Sequence, residues 1–166
     1  LWHLLVITED AVSDEETEPA PAGYAAHAFG LEKHLQEFLI DNWELIGLSE
    51  TWGIFEEDGE LVGVEYGTDI GQIDLLCKAK NSDGWLVIEL KRRQTEDQTV
   101  GQVLRYMGWV QENLADETVP VKGLIICQED TPKLRYALKN TNNVDLMLYE
   151  VSFSLKAPRK ERNTNG

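Results

Sequence analysis

Two apolar runs, Gln72–Lys78 (QIDLLCK) and Trp85–Lys91 (WLVIELK), flank the turn segment Asn81-Ser82-Asp83-Gly84, and each carries one acid, Asp74 and Glu89. Short runs rich in Val, Ile and Leu, bounded by Asn, Asp, Ser and Gly, read as the strands of a hairpin. A charge inside such a strand is expensive to bury unpaired. The fold must therefore bury these strands and still compensate their carboxylates. Folding about Asn81-Ser82 sets residues opposite when their numbers sum to about 163, which puts Asp74 across from Glu89. Cross-strand partners stand roughly 4.5–5.5 Å apart at Cβ, and two carboxylates at that range repel unless a cation lies between them. Oxygen ligands of this kind suit Mg²⁺ or Mn²⁺ rather than zinc. Gly71 and Gly84 bracket the pair, as where a backbone bends or something approaches closely.

The flanking periods define the rest of the order. Leu31, Leu35, Phe38 and Leu39 recur at helical spacing within Phe29–Ile46, and Glu50–Glu57 reads as a first strand ending at Asp58-Gly59. After the hairpin, Thr95 and Gln98 form a capping-box pattern opening a helix with Val103, Met107, Val110 and Leu114 on one stripe. Val121–Cys127 (VKGLIIC) is a continuous apolar run and so a buried strand, followed by a short helix Pro132–Lys139 and a strand Val144–Leu155. The order α-β-β-β-α-β-α-β is that of a layered α/β domain.

Charge narrows the function classes. The 166 residues hold 15 Lys and Arg against 30 Asp and Glu, a formal net charge of -15. Such acidity opposes one smeared basic surface for nucleic acid but not a local basic groove. Six acids (Glu9, Asp10, Asp14, Glu15, Glu16, Glu18) and no Lys or Arg fall within residues 1–23. Residues 1–10, with strand-like Leu1–Thr8 and no initiator Met, are expected to end an upstream element. Residues 11–23, with Pro19 and Pro21, are expected to form an acidic flexible linker, 24–157 the domain, and 158–166 a frayed tail. No run approaches the roughly 18 apolar residues of a membrane span, and no secretory leader precedes the core, so the expectation is a cytoplasmic protein without membrane association. Cys77 and Cys127 form neither a disulfide framework nor a zinc site and read as core, and His3, His27 and His34 have no metal-ligand spacing.

Taken singly, the remaining polar residues are ordinary. A Glu-x-Lys on a strand, here Glu89 and Lys91 on one face, is commonly a solvated pair. Gln102 and Tyr106 share a helix face at i and i+4, as edge residues often do. Together, Gly71-Gln72-Ile73-Asp74-Leu75-Leu76, Val87-Ile88-Glu89-Leu90-Lys91 and Val100-Gly101-Gln102-Val103-Leu104-Arg105-Tyr106-Met107-Gly108 resemble the PD-(D/E)xK nuclease superfamily. More narrowly, they resemble the catalytic domain of NucS-type (EndoMS-like) endonucleases, over about residues 29–155. The resemblance implies a restriction-endonuclease-like core with a mixed central sheet flanked by helices, and Mg²⁺- or Mn²⁺-dependent hydrolysis of DNA. It implies that Asp74 and Glu89 ligate the metal, with the Leu90 carbonyl as a further ligand. Lys91 would orient or activate the attacking water, Glu32 would join the metal shell through water, and Gln102 and Tyr106 would stand beside the site. The superfamily's Pro before the first acid is absent, since Ile73 precedes Asp74, as is common in the group. No match to the family's N-terminal dimerisation and DNA-reading domain falls in this chain, so a homodimer and an upstream domain are expectations from the resemblance alone.

DNA contacts in so acidic a domain must come from a local set. Lys91, Arg92 and Arg93 leave the strand consecutively, and Arg105 accompanies Gln102; Arg92, Arg93 and Arg105 are the candidates for tracking phosphates. The first reading is thus an endonuclease of DNA repair or of restriction and defence. The alternatives are a catalytically weak nucleic-acid-binding or protein-interaction module with the same fold, and an acidic domain docking a basic partner through its linker.

Overall fold

The hairpin forms in the expected register. In the computed structural model, Leu75 pairs with Ile88, Leu76 with Val87, Cys77 with Leu86 and Lys78 with Trp85. The structure describes residues 3–10, 23–92 and 97–154. Along them run β1 (His3–Asp10), α1 (Gly23–Asp41), β2 (Trp52–Ile54), β3 (Val64–Thr68), β4 (Gly71–Ala79) and β5 (Trp85–Leu90). There follow α2 (Asp97–Asn113), β6 (Val121–Cys127), α3 (Pro132–Leu138) and β7 (Val144–Ser154). The strands form a seven-stranded sheet in the order β1-β7-β6-β5-β4-β2, with β3 also paired to β4. Pairs β1/β7, β7/β6 and β6/β5 are parallel, and β5, β2 and β3 meet β4 antiparallel. The sheet is mixed, as expected.

Four features depart from the sequence expectations. The first helix ends at Asp41, and two 3₁₀ turns, Trp43–Leu45 and Gly47–Glu50, occupy the rest of its expected span and the start of the expected strand. That strand, expected over Glu50–Glu57, is reduced to Trp52–Ile54 because the chain leaves β4 at Phe55. It returns at Gly63, whose N–H donates to the Phe55 carbonyl while its own carbonyl accepts from Leu76. Only glycine fits this return, since a Cβ there would lie 2.2 Å from the Leu76 carbonyl oxygen. Between them Asp58 and Gly59 turn with φ of 53° and 82°, the left-handed pair of a tight hairpin turn. Strand β3 is the third departure; its half-exposed VEYGT carries no strong apolar signal. The fourth is β1, which pairs with β7 from His3↔Met147 to Asp10↔Ser154. The segment assigned by its sequence to an upstream element thus lies along this domain's sheet.

Helices cover both faces. Leu35 and Leu39 of α1, with Trp43, pack on Leu75, Cys77, Ile88, Leu124 and Ile126. Val100, Val103, Tyr106, Met107 and Val110 of α2, with Leu134 of α3, pack on Leu76, Val87 and Ile125 of the other face. The expected stripe of α2 is therefore its buried face, and the expected cap Thr95 lies outside the described residues. In α3 the Thr131 hydroxyl accepts from the Leu134 N–H at 3.2 Å and Pro132 opens the helix, the arrangement of a capped N-terminus. Cys77 and Cys127 are buried thiols whose pKa burial raises, to about 11 for Cys127. No described helix is long and apolar enough to cross a membrane.

Candidate active site

Strand β5 is buried along its whole length, and at its carboxyl end, where open α/β sheets place their ligands, stands Glu89. This residue is 1% exposed. Its Oε1 accepts from Lys91 Nζ at 2.7 Å, while Oε2 has no hydrogen-bond partner among the described residues. Burial first, and then the nearby Asp74 charge, push its pKa up to about 7. Burial works against the Lys91 ammonium, but the Glu89 hydrogen bond and the charges of Glu89, Asp74 and Glu32 outweigh it and hold its pKa above the ordinary lysine value. Beyond Leu75↔Ile88 the β4–β5 register stops, and Asp74 is not laddered to Glu89. Instead its Oδ2 accepts from the Leu90 N–H at 2.7 Å. Burial raises the Asp74 pKa against that bond and the Lys91 charge.

Helix α1 closes the site from one side. Glu32 Oε1 accepts from the Arg92 N–H at 3.3 Å, and Gln36, four residues on, donates to the Asp74 carbonyl at 2.9 Å. One face of the helix thus touches β4 and the chain just past β5. Glu32, Lys33, Gln36, Glu65, Gln72, Asp74 and Leu90 line a cavity of about 100 Å³ beside this cluster. A buried carboxylate oxygen without a donor carries the full cost of its desolvation. Protons or a cation relieve it. Among the described residues no three His, Cys, Asp or Glu side chains gather into a complete metal cage. Asp74, the open Glu89 oxygen and the Leu90 carbonyl fit an ion that binds one or two carboxylates and retains water, as Mg²⁺ does.

A family model described as the Endonuclease NucS C-terminal domain matches residues 31–164. The chain belongs to this family. Endonuclease NucS of Streptomyces griseus subsp. griseus is 33% identical over 131 residues, 79% of this chain and 53% of the relative. That of Mycobacterium marinum is 37% identical over 106 residues, 64% of this chain and 42% of the relative. The chain spans about half the length of the curated relatives it matches. Among solved structures, a repair endonuclease from Pyrococcus abyssi has a TM-score of 0.53 at 19% identity, covering 82% of this chain and 50% of that one. An EndoMS–double-stranded DNA complex has a TM-score of 0.52 at 19% identity, covering 87% and 51%. At that identity the likeness is one of fold.

In this NucS-family domain the other sequence candidates are placed unequally. Tyr106 is buried on α2 against the start of β4. A Cβ on Gly71, whose φ is 135°, would lie 2.6 Å from the Tyr106 hydroxyl. Gln102 is half-buried one turn earlier and, among the described residues, makes no hydrogen bond to Asp74, Glu89 or Lys91. Arg92 is half-buried with its main chain held at both ends, by Glu32 and by the Tyr149 hydroxyl, which donates to its carbonyl at 2.6 Å. Arg105 is exposed on α2, and Arg93 lies outside the described residues. The sequence did not single out Gln36, Lys33, Glu65, Gln72 or Tyr149. Gln36 had a signal, its i+4 spacing from Glu32, and Gln72 stands inside the Gly71–Leu76 motif; Lys33, Glu65 and Tyr149 lie in no recognisable pattern.

Gly71→Ala is expected to cost about 1–3 kcal/mol through its backbone alone, and more through Tyr106. Tyr106→Phe, which removes the clashing hydroxyl, should recover part of the loss. Denaturant unfolding of both single variants and the double variant checks this. Strict additivity would deny the contact.

Proposed function

We propose that this domain is the catalytic unit of a metal-dependent DNA endonuclease hydrolysing phosphodiester bonds. The observation that carries the reading is Glu89: a fully buried carboxylate next to Asp74, with one oxygen committed to Lys91 and the other without a donor among the described residues. A protein-interaction module gains nothing from that arrangement, which costs stability wherever it is not used. The relatives named Endonuclease NucS support nuclease chemistry, the EndoMS complex supports double-stranded DNA as substrate, and the P. abyssi repair enzyme favours repair over restriction.

Asp74, Glu89 and the Leu90 carbonyl would hold an Mg²⁺ or Mn²⁺ ion, which when bound would supply Lewis-acid polarisation of the phosphate and a more acidic water. Lys91 presents a fixed ammonium where negative charge develops on the phosphorus oxygens. Glu89 fixes Lys91 in place, and the Leu90 N–H fixes the Asp74 carboxylate. Glu32 steadies the chain just past Lys91 through the Arg92 N–H. Arg92 and Arg105, with Arg93, contact neighbouring phosphates. A homodimer and an upstream DNA-reading domain belong to the same proposal. Light scattering of the full-length protein tests the first.

The deciding experiment incubates the protein with supercoiled plasmid and with single-stranded DNA in Mg²⁺, Mn²⁺ or EDTA. Cleavage in either metal and none in EDTA is expected; cleavage in EDTA, or none in any condition by full-length protein, overturns the reading. Binding should also weaken steeply with salt as counterions are released. Arg92→Ala and Arg105→Ala should each flatten the log–log slope by about one, and an unchanged slope places the phosphate contacts elsewhere.

A further inference from the structure

The pairing between β3 and β4 skips one position. Val64 faces Leu75 and Tyr66 faces Ile73, so Glu65 and Asp74 stand opposite each other yet are missing from the register. Glu65 has a φ of 49°, a left-handed backbone that few non-glycine residues adopt. The disturbance is visible on β4 itself. Ile73 packs into the core under α2 and Leu75 into the core under α1, although residues two apart on a regular strand share a face. On the β5 side the register ends at the same point, and the Asp74 carboxylate takes the Leu90 N–H.

Two side-chain amides occupy the carbonyls around this break. Gln36 Nε2 donates to the Asp74 carbonyl at 2.9 Å, and Gln72 Nε2 donates to the Glu65 carbonyl at 2.9 Å. Gln36 is 7% exposed, so its amide has little access to water as a substitute partner. Both glutamines line the cavity that Asp74 lines.

We infer that Gln36, assisted by Gln72, is a positioning residue that keeps the ladder open at Asp74 and so turns the carboxylate toward Leu90 and the Glu89–Lys91 pair. A closed ladder would satisfy the Asp74 carbonyl from the Glu65 N–H and let Glu65 relax to an extended backbone. The Gln36 amide takes that acceptor from a helix instead. The role rests on the nuclease reading only for the chemistry that Asp74 serves.

Gln36→Met keeps the length and removes the donor. In the metal-free variant the backbone NMR shifts of Glu65 and Asp74 are expected to move to extended values. Its Mn²⁺ affinity, measured by calorimetry, should fall about 10-fold, as for other groups that orient ligands. A merely structural Gln36 would lower the melting temperature equally in EDTA and in Mn²⁺. It would leave the Glu65 shifts and the Mn²⁺ affinity at parental values, and that result overturns the inference. Should Gln36→Met fail to fold, Gln72→Ala, at an exposed position, is expected to shift both readouts in the same direction, and parental values for both would overturn it equally. A parent that binds Mn²⁺ without cutting DNA defeats the nuclease reading and not this one. A parent that cuts DNA while the variant keeps parental shifts and affinity does the reverse.

Discussion

Lys91→Ala is expected to reduce DNA cleavage by at least about 10²-fold, the usual effect of removing one group that stabilises transition-state charge. The ammonium is half-buried and 2.7 Å from Glu89 Oε1, so it is already in place before substrate arrives and pays no reorganisation on binding. The same pairing defines the control. Removing Lys91 leaves Glu89 buried with no donor on either oxygen, and the carboxyl then neutralises at still higher pH. The variant should therefore be compared with the parent near pH 6.5, where Glu89 carries a proton more readily and the fold is penalised less than at higher pH. A folded Lys91→Ala protein that binds Mn²⁺ and cuts plasmid within a few-fold of the parent would remove Lys91 from the mechanism.

The second large effect is on stability without metal. Glu89 has a pKa of about 7 in the fold against an ordinary 4.5. Between those values the folded protein holds a proton that the unfolded chain has released, so stability falls as pH rises. The loss is complete above the folded pKa and amounts to roughly 3 kcal/mol for this one group. Asp74, raised for the same leading reason of burial, acts in the same direction. In EDTA the melting temperature of the parent should therefore drop between pH 5 and 8 by more than that of Glu89→Gln, which is neutral throughout. Millimolar Mn²⁺ at pH 8 should raise the parent's melting temperature by binding the folded form and raise the variant's little. Asp74→Asn, whose amide oxygen can still accept from Leu90, should melt no lower than the parent in EDTA and cleave nothing. A clear destabilisation of Asp74→Asn in EDTA would make Asp74 a structural anion rather than a ligand, and equal pH slopes for parent and Glu89→Gln would contradict the burial of its charge.

The parts of the molecule legible beforehand are those whose information is local. The turn at Asn81-Ser82 and the two apolar runs that flank it carry the β4–β5 register, and the pairs found, Leu75↔Ile88 to Lys78↔Trp85, follow from folding about that turn. The stripe through Val103, Met107 and Val110 is local too, and it is the buried face of α2. Asp74, Glu89 and Lys91 stand within the motifs and Glu32 on the first helix, and the fold brings these four sequence candidates together at the carboxyl end of β5.

What only the tertiary structure decided is how that site is held. His3–Asp10 becomes an edge strand by pairing with β7 at the far end of the chain, a non-local match that no window of sequence contains. The break at Asp74 depends on Gln36, thirty-eight residues away, and the chain past Lys91 on Glu32 and Tyr149, sixty and fifty-seven away from Arg92. A side-chain amide or hydroxyl carries no sign in the sequence of which distant carbonyl it will reach. Periodicity and turn chemistry therefore determined the elements and the acids of this protein. Which backbone groups were left for side chains to satisfy, and hence where each carboxylate points, depended on long-range packing of helix α1 and strand β7 against the sheet.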